Sequence, residues 1–429
     1  PKSTTMTAVI GSKSFATLDE AIKAARSGDT VKISGEFSSP VSVPESASGV
    51  SIVGDNATIS TSGKPAIMCA GRDVKVSNVT LRSKDATCVE VPVGGSLSIV
   101  DCKITATGAS GIVASGGLVR AENSQVEGCG LYGVLASDAG RVECVGLTAT
   151  GNAKAGLLAR GAGSIIVAKG RTESRKNQHG AGCDEGGKLE ISDSSLSENQ
   201  FSGCNVGPNG AKGCKLERVD MVKNAFGCSI NSSELFVTGC AIRDSSKVGV
   251  LTKNTGAPYS VTLQTCQIVE SKINGITAEG QGVLRGKQLL VTDSQTSGVL
   301  VDGSVVQLYL STISKNEVDA VAVRTSASGV PGRAILQQCT LQANRRFGAS
   351  VLGVKAQLSM QGGVCSGNGG GKLGSNGITV ANGGFAEVVG GAKVINNKGN
   401  GIFVAKGSVA NVRGSTVEGN EEFGAKVEE

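Results

Sequence analysis

Residues 171–179 contain the strongest candidate for chemistry in this sequence, because they place the only histidine of the chain beside charged side chains. His179 could act as a general base, since an imidazole changes its charge near neutral pH. Glu173 supplies an acid, and Arg175 could neutralise the carboxylate of a uronic acid. These three residues form the predicted catalytic group, and an acidic polysaccharide is its predicted substrate.

Four further basic residues are candidates for holding an acidic ligand or partner. Arg171 and Lys176 belong to the same stretch, and Arg345 and Arg346 stand together at another predicted turn. A charged outer strand and turn explains all of these residues without any ligand, because most charged side chains lie on protein surfaces. The residues alone leave both interpretations open.

The cysteine pattern argues against a metal centre. Thirteen cysteines occur singly, no Cys-x-x-Cys pair is present, and the chain has one histidine, so neither a metal site nor a cofactor is predicted. Cys204 and Cys228 occupy positions where the repeat requires a small apolar residue, and a buried cysteine with a reduced thiol behaves as one. Reduced cysteines favour a reducing, cytoplasmic compartment. A secreted protein with some disulfides is the alternative, because the chain begins at Pro1 and its start could be trimmed.

Charge and hydropathy exclude two classes of partner. The net charge of +6 arises from 42 basic and 36 acidic residues, which are interspersed. No basic block with interleaved aromatic residues is present, so nucleic acid is not a predicted ligand. No apolar run is long enough to cross a bilayer, so membrane insertion is not predicted. Protein partners and an acidic polysaccharide remain.

One phrase recurs along the chain: an asparagine, three residues, a glycine, and then an apolar–any–apolar unit. Asn397, Gly401, Ile402 and Val404 give an example. Between Gly111 and Gly424, the glycine or its substitute returns at intervals of 22 to 29 residues. Such a period identifies a repeat protein. Each interval also holds two further short alternating strands, and three strands per coil predict an all-β parallel β-helix of about sixteen coils.

The recurring asparagine has a structural interpretation. Asparagine tolerates a left-handed backbone at turns, and its amide can bond to the equivalent asparagine one coil away. We therefore predict an internal ladder formed by Asn152, Asn199, Asn224, Asn316, Asn344, Asn397 and Asn420.

The chain is predicted to have three parts. Residues 1–14 form a flexible segment, residues 15–39 a capping helix and first strand, and residues 40–429 the β-helix. Thr17 and Glu20 make a capping box that starts the helix, and Gly28 would end it. The last coil stops in mid-strand, which fits a fragment, an end that meets a partner, or an end protected by charge.

Longer intervals predict loops at residues 254–259, 326–332 and 367–376. Loops on a rigid scaffold commonly carry function. These loops are rich in glycine and serine, so a contact surface suits them better than an active site.

The helix followed by coils resembles the right-handed parallel β-helix proteins of the pectin-lyase-like superfamily. The resemblance covers residues 15–429 and implies the fold. That fold carries carbohydrate-active enzymes as well as non-catalytic domains, so the resemblance does not imply one activity. The motifs of polygalacturonase-like hydrolases and of alginate-epimerase-like enzymes, including Asp-Pro-His-Glu, are missing here.

These observations favour a non-enzymatic β-helix that serves as a scaffold or protein-interaction module, either alone or as a segment of a larger assembly. A polysaccharide lyase, hydrolase or epimerase that acts on an acidic glycan is the first alternative. A glycan-binding protein is the second.

Overall fold

Short parallel strands make up almost all of the described residues, which are 6–210, 212–371 and 375–428 of the computed structural model. The chain divides into unit 1, Pro1–Asn205 with Asn209–Lys215, and unit 2, Val206–Pro208 with Leu216–Glu429. In each unit, most coils contain three strands that follow one another, and a strand pairs with its equivalent in the next coil. The described residues make about 17 turns of a parallel β-solenoid, which confirms the predicted fold class and comes close to the predicted sixteen coils.

The first series contains the strands that follow the recurring glycine. In unit 1 these are Val41–Val43, Ile67–Cys69, Val89–Val91, Ile112–Ser115, Val134–Ser137, Ala155–Arg160 and His179–Asp184. In unit 2 they are Phe226–Asn231, Val248–Lys253, Ile276–Glu279, Val299–Asp302, Val321–Arg324, Ala349–Leu352, Ile378–Ala381, Ile402–Val404 and Ala425–Val427. Ser202–Val206 also belongs to this series and includes residues of both units.

The second series comes next along each coil. In unit 1 its separate strands are Ser96–Val100, Leu118–Glu122, Arg141–Val145 and Ile165–Lys169. In unit 2 they are Glu234–Thr238, Tyr259–Gln264, Gly282–Lys287, Val305–Tyr309, Arg333–Gln337, Gln357–Gln361, Phe385–Val389 and Val409–Arg413.

The third series completes each coil. In unit 1 its separate strands are Lys103–Ala106, Gln125–Glu127, Thr148–Thr150 and Glu173–Arg175. In unit 2 they are Ala241–Arg243, Gln267–Val269, Leu290–Thr292, Thr312–Ser314, Thr340–Gln342, Val364–Ser366, Lys393–Ile395 and Thr416–Glu418. Five long strands run through both the second and the third series: Thr30–Phe37, Ser51–Ser62, Val74–Lys84, Lys188–Ser197 and Cys214–Val222.

The beginning of unit 1 contains the α-helix Leu18–Ala24 and the 3₁₀-helix Glu45–Ala47. Thr17 caps the α-helix, as predicted, because its Oγ1 accepts a hydrogen bond from the backbone N–H of Glu20 at 3.2 Å. The helix ends at Ala24, and its C-cap is Ala25 in an extended conformation. The prediction that Gly28 ends the helix was therefore wrong, and Gly28, with a φ of +88°, lies in the turn that follows. Neither helix of the described residues is long and apolar enough to cross a membrane.

Two strands near the N-terminus were not predicted. Thr7–Ile10 pairs antiparallel with Lys13–Phe15 and with Thr30–Phe37. Both strands lie in or next to the segment 1–14, which was predicted to be flexible. The prediction followed from the polar composition of that segment, which does not indicate strand pairing. Residues 1–5 of the segment lie outside the described residues.

Two of the predicted loops lie within the described residues. Residues 254–258 join Val248–Lys253 to Tyr259–Gln264, and an antiparallel bridge between Thr325 and Pro331 closes the second loop. The third predicted loop, 367–376, includes residues 372–374, which lie outside the described residues. In the last coil, Ala425–Val427 pairs with Ile402–Val404, and Val427 is 68% exposed.

The asparagine ladder is present in both units. In unit 1 the Nδ2 group of Asn152 donates to Oδ1 of Asn177 at 2.9 Å, and Asn177 donates in the same way to Asn199 at 3.3 Å. Unit 2 carries a longer run with the same geometry: Asn316, Asn344, Asn368, Asn397 and Asn420. Asn177 and Asn368, which are 1% and 0% exposed, also belong to the ladder but were not predicted members.

The turn at the ladder differs from the prediction in one respect. The left-handed backbone belongs to the residue before each asparagine, such as Glu198 (φ 56°) and Lys315 (φ 54°), and not to the asparagine itself. The ladder asparagine instead offers its backbone N–H to the amide oxygen of the next coil, as Asn344 does to Asn368 at 3.1 Å. The side chain therefore links coils while its neighbour makes the turn.

All thirteen cysteines lie within the described residues, where they are buried and form no disulfide. Burial raises the pKa of Cys69 to about 12 and that of Cys129 to about 11, which suppresses the reactive thiolate form. The cysteines therefore pack as small apolar residues in a core of valine, isoleucine, leucine and alanine.

Candidate functional site

A small pocket opens on the first series of unit 1, where the outer layer of side chains has a gap. Leu158 pairs with Gly182, and Asn205 lies on the strand beyond. A Cβ atom on Gly182 would stand 3.4 Å from Cδ1 of Leu158 and 3.2 Å from the carbonyl oxygen of Asn205. Because Gly182 lacks a side chain, a pocket of about 170 Å³ remains above the strand.

Two cations lie over an aromatic ring at one side of the pocket. The Nζ atom of Lys154 is 5.6 Å from the ring centroid of Tyr132, and the guanidinium carbon of Arg160 is 5.9 Å from it. Such distances allow a favourable cation–π interaction. Among the described residues, Lys154 has no carboxylate within ion-pair distance. It is therefore available to an anionic ligand.

Arg160 has a partner already. Its Nε atom donates to Oδ1 of Asp184 at 3.0 Å, and its Nη2 atom donates to Oδ2 at 2.7 Å. This bidentate pair raises the pKa of Arg160 above its ordinary value. The pair fixes the wall of the pocket and leaves Asp184 occupied as an acceptor.

His179 lies beside these groups, in a half-buried position. Its ring stacks on Phe201, with the centroids 5.7 Å apart. Its Nδ1 atom is buried and has no hydrogen-bond partner among the described residues. Burial lowers the pKa of His179 below its ordinary value of 6.5, so the ring is neutral at pH 7. A neutral imidazole can accept a proton or a hydrogen bond from a ligand.

We expect an NMR titration to find the pKa of His179 below 6.5, because desolvation disfavours the charged ring. His179 is the only histidine, so its imidazole resonances can be assigned without ambiguity. Phe201→Ala should move the pKa back towards 6.5 by exposing the ring. Since the unfolded chain binds more protons at this position, stability should increase with pH between the folded pKa and 6.5. An unshifted pKa in the native protein would contradict the burial of this ring.

The structure does not bring the predicted catalytic group together. Glu173 and Arg175 lie on a strand of the third series, where Arg175 pairs with Ser197. His179 lies on the first series, where it pairs with Ala155. The nearest contact of Arg175 with an acid is its own neighbour on the strand, Glu173, at 3.8 Å. His179 therefore reaches the pocket without its two sequence neighbours.

The predicted binding residues 171 and 176 lie at turns of the same coil. Arg171 and Lys176 both adopt positive φ, of 66° and 56°. Lys176 contacts Glu198 at 3.8 Å on the solvent side. These contacts match the interpretation of a charged outer surface.

Arg345 and Arg346 each have an acidic partner within unit 2. Arg345 contacts Glu317 at 2.7 Å, and both side chains are exposed. Arg346 forms a bidentate pair with Asp319, whose carboxylate is completely buried. Ser350 donates a third hydrogen bond to that carboxylate at 2.6 Å. The acidic group held by Arg346 thus belongs to the chain itself.

Most of the pocket was missed because its residues come from different coils. Aligning the coils on Gly133, Gly156 and Gly180 would have revealed the columns. The residues immediately before these glycines are Tyr132, Ala155 and His179. The same alignment places Arg160 and Asp184 four residues after their glycines and Lys154 and Gln178 two residues before them.

The described residues offer no metal centre, since residues 6–210, 212–371 and 375–428 contain no suitable group of three histidine, cysteine or acidic residues. The pocket combines an aromatic ring, a free cation, amide groups from Gln178 and Asn205, and a neutral imidazole. This set can stack on a ring-shaped ligand, neutralise an anionic group and exchange hydrogen bonds with hydroxyls.

Comparison with solved structures gives distant similarities. A mutant of the periplasmic alginate epimerase AlgG aligns with 90% of this chain and 85% of its own, at 13% identity and a TM-score of 0.37. Unmutated AlgG aligns with 94% and 85%, at 11% identity and a TM-score of 0.33. The A-module of a mannuronan C-5 epimerase from Azotobacter vinelandii aligns with 96% and 94%, at 10% identity and a TM-score of 0.26. At these values the similarities carry no information about activity.

No curated protein matches the chain. The chain does match the model of a protein family. Residues 65–226 and 274–429, well over half of the chain, match the family described as "Right handed beta helix region". The parallel coils described above agree with that match, and the chain therefore belongs to the right-handed β-helix family.

Proposed function

We propose that the protein binds an acidic polysaccharide, without chemical turnover, through the pocket formed by Tyr132, Lys154, His179 and Asn205. The observation that carries the proposal is the position of Lys154, which has no carboxylate partner among the described residues and stands 5.6 Å from the ring centroid of Tyr132. A uronic acid presents both a carboxylate for the cation and a ring face for the tyrosine.

The remaining lining residues suit a sugar. Gln178 and Asn205 carry amides that can both donate to and accept from hydroxyl groups. Leu158 supplies an apolar floor that is 7% exposed. Ligand pockets commonly combine apolar walls with a few converging polar groups. The pocket is small enough that one sugar ring of a longer chain would occupy it.

The absence of a second catalytic carboxylate favours binding over glycoside hydrolysis. Hydrolysis of a glycosidic bond ordinarily requires two carboxyl groups that flank the bond. The pocket lining has one, Asp184, and Arg160 holds it through two hydrogen bonds. A binding role also agrees with the non-enzymatic module expected from the sequence. A scaffold role towards other proteins stays a prediction.

A polysaccharide lyase or epimerase is the second candidate, and His179 is the observation that favours it. A half-buried, neutral imidazole with an unpartnered Nδ1 atom could take a proton from a uronic acid. Lys154 would then stabilise the negative charge that develops on the carboxylate.

We expect Lys154→Ala to weaken the binding of polyuronate oligomers by about tenfold, because a charge-assisted hydrogen bond contributes about 1.5–3 kcal/mol. Calorimetric titration at low ionic strength measures the affinity. A repeat at higher salt should reduce the difference between the two proteins, since salt screens exposed charges. Tyr132→Ala should also weaken binding, with less dependence on salt.

Lys247→Ala provides the matched control. Lys247 also precedes a strand of the first series and lies 5.4 Å from an aromatic ring, that of Phe226, but it is not part of the pocket. Equal loss in both lysine variants, or no loss in Lys154→Ala, would contradict the proposal. The incubated oligomers should remain chemically unchanged. New products that disappear in His179→Gln would instead establish the enzymatic candidate.

A further inference from the structure

Unit 2 carries a second surface that could hold a ligand, and it lies on the second series. Outward side chains of five neighbouring strands, from Tyr259–Gln264 to Gln357–Gln361, border a depression of about 480 Å³. We call it the Tyr309 surface and define it by Gln264, Arg285, Lys287, Tyr309, Gln337 and Gln361.

The register of the strands aligns most of these residues in one column. Gln264 pairs with Lys287, and Lys287 pairs with Tyr309. Tyr309 pairs with Gln337, and Gln337 pairs with Gln361. Neighbouring strands lie about 4.8 Å apart. The column therefore presents one ligand-contacting group per coil, which suits an extended, repeating ligand more than a compact one.

The charge of the surface is one-sided. Arg285 and Lys287 line it, no acidic residue does, and neither cation has a carboxylate within ion-pair distance among the described residues. Lys287 stands 5.9 Å from the ring centroid of Tyr309, and the tyrosine is 41% exposed. An unpaired cation beside an exposed ring attracts a ligand that has both negative charge and a flat face.

The amides favour a sugar polymer over other polyanions. Gln337 donates to Gln361 at 2.9 Å, and Gln361 donates in turn to Ser359 at 3.2 Å. Each amide nitrogen carries two N–H groups, so each of these glutamines keeps one donor for a hydroxyl or sulfate oxygen of a ligand. Single-stranded nucleic acid needs aromatic rings for successive bases, and this surface has one. A peptide could not add a strand here, because each of these strands already pairs with neighbours on both sides.

We infer that the Tyr309 surface is a second binding site for an anionic glycan chain, carboxylated or sulfated, which lies along the column and crosses the strands. This inference does not rest on the pocket of unit 1, because the two sites share no residue.

The test uses the full chain in the Lys154→Ala background, so that the pocket of unit 1 contributes little. The probes are a polyuronate oligomer, a sulfated galactan oligomer, an uncharged glucan oligomer and a single-stranded oligonucleotide. Lys287→Ala and Tyr309→Ala should each weaken binding of one or both anionic glycans by about tenfold. Which of the two binds decides whether the anionic group is carboxylate or sulfate.

Arg333→Ala is the matched control, because Arg333 is an exposed cation of the same series that does not line the depression. It should leave the affinity unchanged. Unchanged affinity in Lys287→Ala and Tyr309→Ala would overturn the inference, as would equal loss in Arg333→Ala. Tighter binding of the oligonucleotide or of the uncharged glucan would also overturn it. Circular dichroism spectra would check that each variant is folded. We expect all of them to fold, because the replaced side chains are exposed and do not belong to the core.

Discussion

Replacing Arg346 with alanine should lower the free energy of unfolding of unit 2 by about 3 kcal/mol, because it leaves a buried carboxylate without its cation. The side chain of Asp319 is 0% exposed, and Arg346 binds both of its oxygens, at 2.8 and 2.7 Å. Removing one partner of a buried ion pair costs about 3–5 kcal/mol. We expect a loss at the lower end of this range, because Arg346 is 30% exposed and water can replace part of its interaction with Asp319. Urea denaturation followed by circular dichroism measures the change.

Arg345→Ala is the control for this prediction. Arg345 is the sequence neighbour of Arg346, and its ion pair with Glu317 is exposed on both sides. Exposed pairs contribute about 0–1 kcal/mol, so the denaturation midpoint should hardly move. Replacing Asp319 and Arg346 together with leucine and methionine should restore much of the stability, because no uncompensated charge then remains. Similar losses from Arg345→Ala and Arg346→Ala would show that the burial of Asp319 does not matter.

Asn368→Ala should destabilise unit 2 by a similar amount, about 3 kcal/mol, because Asn368 serves two coils at once. Its Oδ1 atom accepts from the backbone N–H and from Nδ2 of Asn344, at 3.1 and 2.9 Å. Its Nδ2 atom donates to the carbonyl oxygen of Leu341 at 3.0 Å and to Oδ1 of Asn397 at 2.9 Å. Each buried group left unpaired costs about 1–3 kcal/mol.

The matched control is Asn411→Ala. Asn411 lies on the outward side of Val409–Arg413, and its Oδ1 atom accepts one hydrogen bond, from Arg413 at 3.0 Å. We expect its loss to change stability by less than about 0.5 kcal/mol, as for most surface substitutions. Thermal melting monitored at one concentration compares the two variants. A melting temperature for Asn368→Ala equal to that of Asn411→Ala would argue that water replaces the ladder bonds.

The fold could be predicted from the sequence because it depends on features that repeat. Most coils repeat a glycine, an alternating strand and a ladder position, so the repeat can be recognised from the other coils where one coil departs from it. The ladder itself was predicted from its asparagines, and Asn177 was missed for a specific reason. Asn177 lies among the charged residues 171–179, whose composition resembles a catalytic group, whereas its side chain donates to Ser174 and Asn199 in the interior.

The candidate site could not be predicted in the same way, because it depends on neighbours about one coil apart. Lys154 meets the ring of Tyr132, which lies 22 residues earlier, and Arg160 meets Asp184, which lies 24 residues later. Nothing in the local sequence marks these pairs. Tyr132 and Tyr309 look scattered in the chain, yet each lies in a depression with a lysine over its ring.

Gly182 illustrates the remaining difficulty. Glycine commonly serves turns, and many glycines here do adopt positive φ. Gly182 instead lies within the strand His179–Asp184, and it matters because it omits a side chain between Leu158 and Asn205. The lack of a side chain at one strand position does not change a hydropathy pattern, so the pocket becomes visible only when the strands are placed side by side.

The in-phase pairing of successive coils has a consequence for how such a chain can change its length. Leu158 pairs with Gly182 and Ala159 with Cys183, so equivalent residues stack on equivalent residues in these strands. Duplicating or deleting one whole coil would preserve which side chains face the interior, whereas inserting one residue into a strand would turn every later side chain of that strand to the opposite face. Gene duplication can therefore lengthen this protein in steps of one coil and repeat an outward column such as the one at Tyr309, while single-residue insertions are confined to the turns.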